Sequence, residues 1–122
     1  MKETRQQREA KGRRGERLAG WWLRLKGWSI LDRRVKTPLG EVDLVARDGD
    51  VLVFVEVKWR ARAADLDLAI DAYRLRRVAA AAEVIAPRYM QSGNGPGQDM
   101  RIDVLLLAPG AMPRHLVNVS LN

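Results

Sequence analysis

Asp43, Glu56 and Lys58, spaced as D-x12-E-x-K, are the residues of this chain whose types and spacing could do chemistry. Two carboxylates are hard oxygen donors suited to Mg2+ or Mn2+, and an ammonium two positions beyond one of them can orient a water or offset developing negative charge. Together they suit metal-assisted hydrolysis of a phosphodiester, in which the cation polarises the phosphate and lowers the pKa of a bound water. Such chemistry needs all three side chains on one side of one surface.

The elements that must place them there are two strands. Residues 40–58, GEVDLVARDGDVLVFVEVK, read as a hairpin with an alternating run from Glu41 to Val45. Arg47-Asp48-Gly49-Asp50 is turn material, and a β-branched run follows from Val51 to Val57. Val51 to Val55 is apolar at every position, as in a strand covered on both faces, and Glu56 and Lys58 then follow on the side of Phe54. With the turn at 47–50, Ala46 faces Val51, Asp43 lies opposite Phe54 and Glu41 opposite Glu56. Asp43 and Glu56 are then diagonal neighbours with Cα atoms about 7 to 8 Å apart. Glu41 shares their face as a second-tier carboxylate. A slip of one residue would send Asp43 and Glu56 to opposite faces.

Composition bounds what else the chain can be. Its 122 residues allow one domain with a single sheet-and-helix core, expected over 13–122 behind a basic arm at 1–12. The absence of cysteine excludes a disulfide framework and a thiolate metal site, and a single histidine excludes a multi-histidine one. No run approaches the roughly 18 apolar residues of a membrane span, and the basic start lacks a secretory signal's apolar segment; no membrane is expected, and a cytoplasmic location is. Residues 1–36 hold 12 Lys or Arg against 4 Asp or Glu, whereas residues 37–122 hold 10 against 11, so the whole excess of the +7 charge is N-terminal. A cationic stretch beside an acidic site suits a nucleic acid partner: Arg13, Arg14 and Arg17 would take up phosphates while the carboxylates hold metal.

The remaining chain supports this hairpin. Leu18, Ala19, Trp22, Leu23 and Leu25 predict an amphipathic helix over 13–26, with Gly15 at its start and Gly27 as its left-handed C′ residue. Glu16 then falls in the first turn, where the helix dipole favours a carboxylate. A strand follows from Trp28 to the turn at Thr37-Pro38-Leu39-Gly40. Trp22 and Trp28 read as core. Arg60 and Arg62 either contact phosphate or end the strand in solvent, and Arg60 is the better phosphate candidate because it extends the Glu56 and Lys58 face by one further step of two. Asp65 and Asp67 read as caps or loop residues, and a second helix runs from Asp71 to Ala86 on a stripe of Tyr73, Val78, Ala81, Ala82 and Ile85, with Pro87 marking its stop. Residues 91–98 compose a loop. Arg101 to Leu107 is an apolar strand whose Asp103 is either a further ligand or a structural carboxylate paired to Arg101. A last strand spans 114–119, with His115 structural.

Gly12, Gly15-Glu16, Ala19, Leu23, Gly27, Gly40-Glu41-Val42-Asp43-Leu44, Phe54-Val55-Glu56-Val57-Lys58, Arg60 and Arg101-Ile102-Asp103-Val104 resemble, in order, the small YraN-like bacterial proteins. That family is similar in pattern to archaeal Holliday-junction resolvases and to the PD-(D/E)xK nuclease superfamily. The resemblance implies an α/β restriction-endonuclease-like fold, a mixed β-sheet flanked by helices in the order α-β-β-β-α-β-β. It further implies that the Val57 carbonyl joins Asp43 and Glu56 as a metal ligand and that Glu16 supports the metal site. Arg74 stands where family members often carry a lysine; it keeps the charge but cannot exchange a proton at neutral pH. DNA, including branched or junction DNA, is the implied substrate, and a homodimer the implied assembly. A non-cleaving nucleic-acid-binding protein on the same fold is the alternative, and a partner-binding module a third.

Overall fold

The computed structural model describes residues 4–62, 72–90 and 99–119. The readings placed on Asp65, Asp67, Asp71 and the 91–98 loop lie outside them.

The first helix, α1, spans Arg5–Leu25 and is opened by a capping box in which Thr4 and Gln7 exchange side-chain-to-backbone hydrogen bonds. It is closed by Gly27 at φ +92, the left-handed C′ glycine expected. Residues 5–12, expected as a basic arm that either extends the helix or frays, are the first turns of this helix. Gly15 is not its start, and Glu16 lies in its interior, so the helix-dipole role expected for Glu16 falls away. Leu18 and Leu25, expected on the buried stripe, are 48% and 82% exposed, while Ala19 and Leu23 are fully buried. The register of the helix on the sheet is set by the small and branched residues, and the leucines flanking them face solvent.

Three strands follow: β1 (Ser29–Thr37), β2 (Gly40–Asp48) and β3 (Val51–Trp59). Thr37 closes the first hairpin, its Oγ1 accepting from the amides of Leu39 and Gly40 at 3.1 Å each. At Gly40 the backbone of α2, the helix over Ala72–Ile85, comes so close that a Cβ would lie 2.7 Å from the carbonyl oxygen of Arg77. The second hairpin departs from expectation: Asp48 pairs with Val51, so the turn has only Gly49 and Asp50 at its centre. Gly49 at φ +59 provides the positive φ a two-residue hairpin turn needs. Partner numbers shift by two from the register expected, and because side chains alternate with period two, this correction leaves the faces intact.

α2 continues into a 3-10 turn at Ala86–Arg88 that contains Pro87. Its buried stripe is Leu75, Val78, Ala81, Ala82 and Ile85; Tyr73, expected in that stripe, is 58% exposed. The chain then returns as β4 (Met100–Leu107), parallel to β3, and ends in β5 (Arg114–Leu116), shorter than the strand expected over 114–119. The sheet order is β1-β2-β3-β4-β5, all pairs antiparallel except β3 with β4. This is an α/β chain with a five-stranded mixed sheet between two helices, and its elements follow the expected order.

β3 is apolar throughout its first half because both faces are covered. Val53 and Val55 pack with Ala19, Leu23 and Trp28 on the α1 side. Leu52 and Phe54 pack with Val78, Ala82 and Ile85 on the α2 side. Burial of a Val, Leu or Phe side chain is worth about 1.5 to 3 kcal/mol, so this strand anchors the molecule. No helix among the described residues is long and apolar enough to cross a membrane.

Candidate functional site

Asp43 sits where β2 stops pairing with β3. The ladder between them ends at Leu44 and Val55, and the amide of Val57 beyond it donates to Asp43 Oδ2 at 2.8 Å. A side-chain carboxylate has replaced a strand carbonyl, which splits the two strands. The N–H and C=O of one residue face the same edge of a strand. The Val57 carbonyl therefore opens towards the same crevice as Asp43.

The sequence alternation is broken at this point. Val42 and Val45 both join the α2-side cluster while Leu44 joins the α1-side one, so faces change at Asp43. A regular strand would place Val42 and Leu44 together. Across the ladder the break is matched in β1: between the pairs Arg33–Leu44 and Val35–Val42 stands Arg34, at φ +52. A left-handed conformation costs a non-glycine residue about 1 to 2 kcal/mol. Two irregular residues facing one another turn Asp43 out of the regular alternation and towards β3.

Glu56 and Lys58 come from the end of β3 and are only 2% and 7% exposed. Lys58 Nζ lies 2.9 Å from Glu56 Oε1, and Arg74 NH2 lies 3.3 Å from the same oxygen. Neither approaches in hydrogen-bonding geometry, and among the described residues this buried oxygen has no hydrogen-bond partner. Asp43 and Glu56 act on one another electrostatically. Burial first, and then the charge of Glu56, push the Asp43 carboxyl up to about 8, against the opposing pull of the Val57 amide. Glu56 is thus nearly sealed from solvent with one oxygen lacking a hydrogen bond, and Asp43 is partly buried at the edge of the crevice.

The two depressions flanking this pair place the other candidates. One, of about 480 Å³, is lined by Gly12, Gly15, Glu16, Asp43, Val57, Lys58, Trp59, Arg60, Ala61 and Arg74. The other, of about 250 Å³, contains Glu41 and Glu56 with Tyr73, Arg74, Arg77 and Val78. Arg74 borders both. Glu41 is therefore beside Glu56 but not in the depression that holds Asp43 and Lys58, and the expected Glu41–Glu56 cross-strand pair is not formed, because the β2–β3 ladder stops at Leu44 and Val55 in a register shifted by two. Arg60 lines the larger depression, with one NH1 bond to the Trp59 carbonyl at 2.9 Å.

Glu16 projects from α1 into the larger depression and is engaged by Arg34, whose Nε lies 3.3 Å from Oε2. Burial raises the Glu16 carboxyl above its usual range, Arg34 lowers it and Glu41 raises it. Arg13 and Arg17 border Glu16 on its outer side, and Arg14 is exposed on the same helix. Arg34 belongs to this site although its sequence position reads as ordinary strand. Its one signal is a run of charged residues, Asp32-Arg33-Arg34, in a strand that pairs with an acidic one.

The donor chemistry fits a hard divalent cation: buried carboxylate oxygens, one lacking a hydrogen bond, beside a strand carbonyl. Among the described residues no three His, Cys, Asp or Glu side chains converge on one point, so only Asp43 and Glu56 with the Val57 carbonyl could hold it directly. Asp103 stands apart. It is fully buried and takes Arg101 Nε at 3.1 Å, His115 Nε2 at 2.7 Å and the Asn118 amide at 2.9 Å. Those bonds make it the structural carboxylate of the two readings, and His115, packed edge-on against Trp22 and Trp28, ties β5 to α1.

Residues 15–107 match the profile of "Uncharacterised protein family UPF0102". A UPF0102 protein of Sphingopyxis alaskensis is 65% identical over 116 residues, covering 95% of this chain and 97% of that one. Another, of Erythrobacter litoralis, is 63% identical over 114 residues, covering 93% and 95%. A third, of Bartonella bacilliformis, is 39% identical over 116 residues, covering 95% and 93%.

Proposed function

This chain belongs to the UPF0102 family, and we propose that it is a metal-dependent nuclease that hydrolyses phosphodiester bonds in DNA, on a restriction-endonuclease-like fold of the PD-(D/E)xK superfamily. The observation that carries the reading is the mutual charge of Asp43 and Glu56, with Lys58 against Glu56, at the splayed end of β2 and β3. Such a cluster is a poor device for stability, because buried ions must recover their desolvation cost. It is a good one for catalysis.

Asp43 and Glu56, with the Val57 carbonyl, would hold Mg2+ or Mn2+, and that cation would supply Lewis-acid polarisation of the phosphate and an acidified water. To serve as a ligand Asp43 would have to be deprotonated. Lys58, which lines the same depression, would offer the reacting phosphate a fixed positive charge and a water-orienting donor. Arg74 and Arg60 border the depression and would contact flanking phosphates, and Glu16 supports the site from α1. Branched DNA is the first substrate to try, on the likeness to junction resolvases. The test is incubation with linear, flapped and four-way DNA in Mn2+. Nicked product from the wild-type protein and none from Glu56→Ala supports the reading; no product on any substrate overturns it.

A second reading has its own observation. Two cations already stand at Glu56, and three acidic side chains do not converge among the described residues, which suits a protein that binds nucleic acid without cutting it. Calorimetry separates the two. A pure binder takes up no Mn2+ at Asp43 and Glu56, and its DNA affinity is indifferent to Mg2+.

A further inference from the structure

Beyond the carboxylate site, on the outer side of Glu16, α1 and β1 enclose a depression of about 290 Å³ lined by Arg13, Glu16, Arg17, Arg33 and Arg34. Four guanidinium groups and one carboxylate make its lining strongly cationic. The way two of them arrive there is unusual. Arg33 and Arg34 are neighbours in a strand, and a regular strand would send their side chains to opposite faces of the sheet. The left-handed backbone of Arg34, at φ +52, breaks that alternation. Both side chains then reach α1: Arg34 to Glu16, and Arg33 across Gly20, where an added Cβ would stand 3.2 Å from each of its terminal nitrogens. Helix and strand thus converge on one arginine cluster from two sides, and all four arginines remain exposed to solvent.

From this convergence we infer that the α1–β1 depression is a phosphate-binding subsite for a nucleic-acid backbone, with Arg33 and Arg34 completing the set begun by Arg13 and Arg17. Guanidinium forks match phosphate oxygens in geometry as well as charge. Glu16 is the wall shared with the carboxylate depression, so a strand whose phosphate rests among these arginines runs on towards Asp43 and Lys58. The inference rests on the nucleic-acid part of the function proposed above and is independent of cleavage.

The test is equilibrium binding of a fluorescent DNA duplex in EDTA, over a range of salt, to wild type, Arg33→Ala, Arg17→Ala and Arg88→Ala. Arg88 is an exposed arginine near the opposite, hairpin-turn end of the sheet and matches the charge removed. Each phosphate that a variant leaves unneutralised makes the slope of log affinity against log salt shallower by about 0.9. Arg33→Ala and Arg17→Ala are expected to show that change with weaker binding, and Arg88→Ala to show neither. Equal slopes in all four proteins, with circular dichroism reporting the same fold, overturn the subsite. Titration with inorganic phosphate distinguishes the source: tight binding of free phosphate, abolished in Arg33→Ala, would make this a site for a soluble anion and overturn the backbone assignment. Binding that depends on Arg33 and Arg17 in a protein that fails to cut in Mn2+ supports the subsite while the nuclease reading falls; cleavage with unaltered slopes does the reverse.

Discussion

At the scale of single residues, the site is a store of unfavourable electrostatics. Asp43 has its carboxyl raised from 3.8 to about 8 by burial and by Glu56, so the folded state binds more protons than the unfolded state between those values. The stability this contributes is fully present below the unfolded pKa and is lost as pH rises towards 8. Thermal melts in EDTA should therefore show the melting temperature falling from pH 5 to pH 8, and Mn2+ should restore it most at the alkaline end. Asp43→Asn should flatten the profile, raise the melting temperature at pH 8 by a few degrees and remove the response to Mn2+. A wild-type profile that is flat in EDTA would contradict the assignment. Lys58→Ala should act in the opposite direction. Removing the cation from a buried pair typically costs about 3 to 5 kcal/mol. The melt of that variant should drop in EDTA and recover in part with Mn2+. The Asp43, Glu56 and Lys58 set is legible in the sequence because residue type and spacing carry it. Arg34 is not, because its role depends on a backbone conformation that arginine seldom adopts.

At the scale of elements, the positions of Asp43 and Glu56 follow from where strands pair and where they part. The sequence predicts a turn of four residues and the structure closes it with two, Gly49 and Asp50. Turn length is weakly encoded when Asp, Gly and Asp stand in a row, whereas the face of each side chain is strongly encoded by the alternation of apolar residues. A shift of two therefore leaves the site readable. The break of alternation at Asp43 is illegible, since it arises from Arg34 and from the Val57 amide, both distant in sequence. α1 misleads for another reason: Leu18 and Leu25 fit a helical stripe by spacing, yet Gly20, Ala19 and Leu23 set the face that meets the sheet. At Gly40 the packing admits no side chain, because a Cβ would meet the Arg77 carbonyl oxygen at 2.7 Å. Gly40→Ala must push α2 away from β2, and overpacking of this kind costs about 1 to 3 kcal/mol. Denaturant titration should show that destabilisation, and, as Arg74 and Arg77 ride on α2, Mn2+-dependent activity should fall with it. A Gly40→Ala protein as stable as wild type would show that the helix sits less tightly than described.

At the scale of the whole molecule, charge is divided. The basic excess of the chain lies in residues 1–36, which span α1 and most of β1, and the acidic pair lies at the adjoining end of β2 and β3. This asymmetry is readable from counts alone, although its shape, a helix and a strand meeting around Glu16, requires the fold. At the other end of α1, His115 bridges Asp103 and the two tryptophans, and it holds β5 in place. His115→Ala should leave Asp103 short of one hydrogen bond in a fully buried position, at about 1 to 3 kcal/mol. Metal binding by that variant should match wild type, because the two clusters occupy different ends of the helix; a drop in Mn2+ affinity would tie them together. A structural clasp thus stands at one end of α1 and the carboxylate pair at the other.

Asp43, Glu56 and Lys58 are proposed to cut a phosphodiester with a divalent cation. The initial rate of four-way DNA cleavage, followed against Mn2+ concentration for wild type and for Glu56→Gln, tests it most directly. A saturable, Mn2+-dependent rate is expected, falling by about 100-fold or more in Glu56→Gln, because a lost ligand would weaken the hold on the cation that stabilises transition-state charge. Equal rates in the two proteins, or no Mn2+ dependence in wild type, would contradict it.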